Sequence, residues 1–204
     1  MESVSLEVSA AILKKFCKEN ENNSMPFDWL RGRSISEAFV ICLGAGPWKF
    51  GRRKNIQGQA LEKLNGRDIS EISIEEAREF YPLEWQNNFL LIAARALREY
   101  NMTFDKYCQK AMKDPAFALT YIRSLVATKE AKVISLFCRD GLGAPSFPID
   151  RHVKRKLQEL NLPTDEDSMI EVCKKAGIDP RIAAITFVRT ASDMDNPNWS
   201  LNDH

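Results

Sequence analysis

The feature that most limits what this chain can fold into is the spacing of its apolar residues, which recur at helical intervals almost throughout. Leu90, Leu91, Ala94 and Leu97 fall on one side of a helix, with Arg95, Arg98 and Glu99 on the other. No stretch alternates apolar and polar residues as a half-buried strand would. The pattern predicts an all-α protein of about nine or ten helices. Start signals agree. Ser34 with Glu37 and Ser73 with Glu76 fit capping boxes, while Asp114-Pro115 and Asp179-Pro180 set a cap before a proline in the first helical turn.

Two runs interrupt the helices: Gly44-Ala-Gly-Pro-Trp-Lys-Phe-Gly51, followed by Arg52-Arg53-Lys54, and Asp140-Gly-Leu-Gly-Ala-Pro-Ser-Phe-Pro148. Each concentrates glycine and proline and predicts a loop. The segment 193–204 is polar around Trp199. Repeats, low-complexity tracts and flexible linkers are absent from the sequence. With 204 residues, 44% of them hydrophobic and 11 of them Phe, the chain can bury a sizeable core as one domain or as two interlocked helical lobes.

Several function classes drop out. No apolar run approaches the roughly 20 residues that span a bilayer, and the acidic start Met1-Glu-Ser-Val lacks a basic-then-apolar leader. The expectation is an intracellular protein without membrane partners, cytoplasmic in a prokaryote or nuclear in a eukaryote. Cys17, Cys42, Cys108, Cys138 and Cys173 are odd in number, far apart and set in apolar-periodic segments, which suits small buried hydrophobes rather than disulfides. An iron–sulfur cluster needs closely spaced thiolates, and His152 and His204 are too few for a histidine metal centre. Neither a metal nor a cofactor is expected.

A net charge of +1 does not announce a polyanion binder, but the local charges are uneven. From Arg123 to Lys156, eight basic residues (Arg123, Lys129, Lys132, Arg139, Arg151, Lys154, Arg155, Lys156) face three acids, Glu130, Asp140 and Asp150. From Lys49 to Arg67, six basic residues face Glu62. Both patches carry +5, which suits phosphate contacts and equally suits ordinary solvated helix faces.

The first patch contains the most informative constellation. Lys132 falls near the start of a helix whose apolar face includes Val133, Leu136 and Phe137, and Asp150 reads as the N-cap of the next helix, at its positive end. Taken singly, Asp150 fits an ordinary cap and Lys132 a solvated helix lysine. The pair, and the Pro148-Ile-Asp-Arg-His-Val153 context, point elsewhere.

That context resembles the catalytic aspartate signature of the helix-hairpin-helix DNA glycosylase superfamily. Lys132, 18 positions upstream of Asp150, is placed like the lysine of the bifunctional members. The Lys-Glu-Ala-Lys stretch and the chain length are most similar to the 8-oxoguanine glycosylases known from archaea. The resemblance is specific over roughly residues 115–160 and implies one such domain across 1–204, with two interlocked helical lobes, a helix-hairpin-helix-like element and a DNA-binding cleft between the lobes. It also implies a monomer whose partner is double-stranded DNA with a damaged base. The family's hairpin usually carries a Gly-x-Gly turn that holds a phosphate, whereas Val126-Ala-Thr-Lys129 has no glycine. The resemblance implies that one archaeal branch shares this departure.

The residue types suit the chemistry. Breaking an N-glycosidic bond builds positive charge on the sugar, which a carboxylate such as Asp150 stabilises while accepting a proton. The neutral amine of Lys132, favoured by burial and neighbouring cations, attacks the anomeric carbon to give a Schiff base, and β-elimination nicks the strand. The expected activity is that of a bifunctional glycosylase and AP lyase on 8-oxoguanine.

Phosphate contacts are expected from Thr128, Lys129, Arg151, His152, Lys154 and Arg155, and His152 equally suits a bond to local backbone. Candidates for stacking a flipped base are Trp48, Phe187 and Trp199. Trp85 and Phe187 also fit the core, since aromatics at helical spacing more often pack inside, and Trp48 in its basic loop suits a functional role best. Two alternatives stand beside the main reading: the same chemistry on an oxidised pyrimidine or alkylated purine, and a catalytically silent helical module that binds DNA or a protein.

Overall fold

The computed structural model describes residues 5–24, 29–46, 50–128 and 132–195, and all of its regular structure is helical. Its α-helices are α1 (Leu6–Glu19), α2 (Ile35–Gly44), α3 (Phe50–Leu64), α4 (Ile74–Arg78), α5 (Glu84–Glu99), α6 (Phe104–Ala111), α7 (Ala118–Leu125), α8 (Lys132–Leu136), α9 (Arg151–Glu159), α10 (Glu166–Ala176) and α11 (Pro180–Asp195). No strand occurs among the described residues, so the all-α expectation holds. Among those residues no helix is long and apolar enough to cross a membrane. The chain divides into two compact units: residues 1–29 with 145–204, and residues 30–144.

The unit formed by 30–144 is organised around α2, in which Ser36 and every residue from Ala38 to Gly44 are buried. A helix buried on all sides must find internal partners for its last carbonyls. Three side chains supply them: Tyr81 Oη donates to Val40 O at 2.7 Å, Gln57 Nε2 to Ile41 O at 2.9 Å and Gln86 Nε2 to Leu43 O. Phe39, Phe104 and Phe137 pack ring to ring beside α2, with centroids 4.9 to 5.6 Å apart. Full burial of such side chains contributes about 1.5–3 kcal/mol each.

Asp68 ties this unit together. Its carboxylate caps a 3₁₀ turn at Ile69–Glu71 and accepts from Ser70 N and Oγ, from Ser36 Oγ, and from Phe104 N and Asp105 N at the start of α6. Burial pushes the Asp68 carboxyl upward, but the hydrogen bonds from Phe104, Ser70 and Asp105 outweigh it and hold the group below its ordinary value.

The other unit closes α1, α9, α10 and α11 around Leu13, Phe16, Phe147, Val153, Leu157, Met169, Val172 and Phe187. Phe187 lies 4.3 Å from Phe16 and 5.7 Å from Phe147, centroid to centroid, and is fully buried. It therefore belongs to the core, which removes it from the stacking candidates. Trp85 goes the other way: it is 36% exposed on α5, edge-on to Phe89, and is not a core residue.

The expected caps at Ser34 and Ser73 form complete capping boxes. Asp179 precedes Pro180, the first residue of α11, and its Oδ1 accepts from Arg181 N. The Asp114-Pro115 signal does not start a helix. Asp114 Oδ1 accepts from Ala116 N and Asp114 O from Phe117 N, which makes a turn, and α7 begins at Ala118. Both expected loops are shorter than predicted: Gly51 and Arg52-Arg53-Lys54 belong to α3, and Asp140 and Gly141 belong to a π-helical turn, Phe137–Gly141, that continues α8. Gly141 is required there, since a Cβ would stand 2.7 Å from the Phe137 ring. Four of the five cysteines are buried and none is in a disulfide. Burial pushes the Cys17 thiol up to about 11 and Cys173 up to about 12, so these are packing groups rather than nucleophiles.

Candidate functional site

The candidate residues fall in both compact units. In the unit that holds α9, Asp150 is extended (φ −101°, ψ −179°) and caps the helix, as its sequence context predicts. Its Oδ1 accepts from His152 N and Val153 N, both at 2.9 Å. The carboxylate is thus oriented by its own helix at the end where the helix dipole is positive. It is partly exposed.

Val153 and Leu157 turn into the core, which fixes the rotation of α9 and sends Arg151, Lys154 and Arg155 to solvent. These three lie at i, i+3 and i+4 and share one face. Arg155 also reaches Glu159 at 3.8 Å, and Lys156 pairs with Glu159 at 3.0 Å. His152 is half-buried, and its Nε2 accepts from Arg151 Nε at 2.9 Å, a contact with its neighbouring side chain that neither alternative for it included.

The segment leading to Asp150 is held from a place the sequence reading did not reach. Glu166, the first residue of α10, accepts at Oε1 from Ser146 Oγ at 2.9 Å and from Phe147 N at 2.6 Å. Ser146 and Phe147 are fully buried. A contact across 20 positions has no local sequence signature.

In the unit that holds α8, Lys132 is exposed, and the burial that the sequence reading invoked for it is not there. Val133 and Phe137 are buried as expected, Leu136 is half-buried, and Ile134 joins the buried face. Two turns on, Arg139 and Asp140 form a buried ion pair in the π-helical turn, with Arg139 Nε 2.6 Å from Asp140 Oδ1 and Nη2 2.8 Å from Oδ2. Arg139 is therefore an internal group and not part of a surface patch.

Before α8, the helix α7 ends at Leu125 and the chain turns through Ala127 with φ +51°. Ala127 N donates to Ser124 O at 3.2 Å and Thr128 N to Arg123 O at 3.0 Å, the pattern of a Schellman cap. Three other helices end this way, and their positive-φ residues are Asn101, Asn161 and Gly177, types that tolerate the left-handed region. Ala127 does not, and carries a strain of about 1–2 kcal/mol. The amide of Thr128 already serves the cap. Lys129, Trp48 and Trp199 lie outside the described residues.

The second basic patch is smaller than its sequence suggests. Lys63 Nζ donates to Glu79 O and Phe80 O, and Arg67 bonds Lys63 O and Leu64 O and pairs with Glu76 at 2.9 Å. Both are structural. Arg52 and Lys54 remain exposed on the first turns of α3.

No group of three or more histidine, cysteine, aspartate or glutamate side chains among the described residues is placed to hold a metal ion. No family model matches the chain, and neither a curated protein nor a solved structure does.

Proposed function

We propose that the chain is a bifunctional DNA glycosylase and AP lyase that excises 8-oxoguanine from double-stranded DNA. The observation that carries the reading is the Asp150 corner: a carboxylate capping α9 through Oδ1, inside Pro-Ile-Asp-Arg-His-Val and 18 positions after Lys132. Lys132 stands at an exposed position, where a large substrate can meet the protein. In this reading α7 and α8 are the helices of the hairpin, and the Ala127 turn stands where the family usually has glycine.

The chemistry requires Lys132 and Asp150 to act on one deoxyribose. The Lys132 amine attacks C1′, and the N-glycosidic bond breaks with its electron pair leaving on the base. Asp150 stabilises the cationic sugar and takes the proton that the amine loses. Opening of the sugar ring gives the imine; removal of a C2′ proton then expels the 3′ phosphate and nicks the strand. Arg151, Lys154 and Arg155, on one exposed face of α9, supply phosphate contacts.

Borohydride reduction during turnover of an 8-oxoguanine duplex is expected to fix the protein covalently to the strand, and Lys132→Gln is expected to abolish the adduct. Undiminished trapping by Lys132→Gln rejects the mechanism. A panel of duplexes with oxidised pyrimidines or alkylated purines separates this base from the alternatives. A second reading is a catalytically silent helical module that binds DNA or a protein: the Thr128 amide donates to Arg123 O, so this turn does not offer it to a phosphate, which counts against the family's usual phosphate anchor. That reading predicts salt-sensitive binding without a strand product, unaffected by Asp150→Asn.

A further inference from the structure

A cavity of about 370 Å³ opens on the unit 30–144, lined by Tyr100, Met102, Tyr107, Lys110 and Tyr121. Its volume is in the range of small-molecule sites, about 300–1,000 Å³. The rings of Tyr100 and Tyr107 are parallel to within 6°, with centroids 6.2 Å apart. Tyr107 is held in place, since its hydroxyl donates to Tyr121 O at 3.0 Å, and burial pushes that hydroxyl up to about 12, so it stays a donor. Tyr100 and Tyr121 are 58% and 46% exposed, an unusual display for large aromatic rings.

The lining contains one charge, Lys110, and no acid. Lys106, Lys110 and Lys113 follow one another at spacings of four and three, so they continue one face along and just past α6. Two acids flank the row, Asp105, whose Oδ2 accepts from Gln109 Nε2 at 2.6 Å, and Asp114, and neither lines the pocket. The row of lysines repels a quaternary ammonium, which the rings alone would attract, and a proline-rich peptide without acids has nothing to pair with the lysines. Rings and lysines together match a ligand that is flat, apolar on its faces and anionic beside them.

We propose that the Tyr100, Tyr107, Tyr121 and Lys110 pocket binds an unpaired nucleobase of a nucleic-acid strand, with the adjoining phosphates on Lys106, Lys110 and Lys113. Stacking on tyrosine is tolerant of base identity because every base has a π face, so the site reads strandedness rather than sequence. It involves neither Lys132 nor Asp150 and stands whether or not the chain excises a base.

The test is fluorescence anisotropy of the full chain with a labelled, undamaged oligothymidylate of about 12 nucleotides, repeated across salt concentrations. Tyr100→Ala and Tyr121→Ala are each expected to weaken binding about 5- to 100-fold, while Tyr100→Phe stays within about twofold of the wild type. Lys110→Met is expected to flatten the slope of log affinity against log salt by about 0.7, the loss of one phosphate contact to a single strand. Thermal melts followed by circular dichroism check that each variant folds, and the Phe and Met variants keep the test open if an Ala variant does not. The proposal falls if the wild type does not bind the oligonucleotide. It also falls if Tyr100→Ala and Tyr121→Ala bind as the wild type does, or if a proline-rich peptide occupies the pocket while oligonucleotide affinity is indifferent to it.

Discussion

Asp68 and Asp150 both cap a helical turn, yet they are built for different ends. Asp68 gathers donors from three places in the chain, Ser36, Ser70 and the Phe104-Asp105 amides, the last two 36 and 37 positions away. Asp150 is oriented by the amides two and three residues ahead of it, on its own helix. The first carboxylate is a tie between distant segments, so its negative charge is part of the fold. The second is set by local geometry whose two hydrogen bonds an asparagine oxygen also accepts, so the cap itself does not depend on the charge.

The same substitution at both positions puts this contrast at risk. Asp150→Asn keeps the acceptor oxygen, and asparagine caps about as well as aspartate, so the urea midpoint should move by no more than about 0.5 kcal/mol in stability. Base excision by that variant should fall about 10²- to 10⁴-fold, measured by single-turnover cleavage. Full activity in Asp150→Asn would leave its cap as its whole role.

Asp68→Asn is expected to cost about 1–3 kcal/mol, because the amide nitrogen turns a donor toward donors and leaves buried groups unsatisfied. The readout is a lower urea midpoint at unchanged slope. If Asp68→Asn is neutral, the two corners are not different in kind.

The Asp68 contrast also has a pH signature. Its carboxyl is depressed in the folded state relative to the ordinary 3.8, so its contribution is complete above that value. The contribution fades as pH falls through the depressed value, where the folded carboxylate is finally protonated. Acid titration of unfolding should therefore show a loss of stability below about pH 4 that is blunted in Asp68→Asn.

The smallest expected effect concerns the turn at Ala127. Ala127→Gly relieves the left-handed alanine and adds chain entropy to the unfolded state, for a net gain of about 0.5–1 kcal/mol by urea denaturation. A loss instead would mean that the methyl group has a packing role.

What was legible in the sequence follows the same division between local and distant. The capping boxes at Ser34 and Ser73 and the caps at Asp150 and Asp179 were visible because each bond closes within about three residues. The all-helical architecture was visible because apolar spacing is a property of single segments. Asp114-Pro115 misled because an aspartate before a proline starts a turn as readily as a helix. Arg139 and Asp140 looked like surface charges, since neighbours in sequence do not reveal that they will neutralise each other inside. Glu166 went unseen because its partners, Ser146 and Phe147, lie in another segment. Phe187 packs in the core and Trp85 does not, although both stand at helical spacing, because a helical period shows that a face exists, not which residues beyond it will cover it.

The order of segments along the chain also decides when each unit can fold. Residues 30–144 are continuous, so that unit is complete as soon as they have left the ribosome. Helix α1 has no such fortune: its packing partners are α10 and α11, made about 150 residues later. At a synthesis rate of about 5–20 residues per second, Leu13 and Phe16 wait on the order of ten to thirty seconds for Met169, Val172 and Phe187. During translation the apolar face of α1 stays without its cover until those later helices are made.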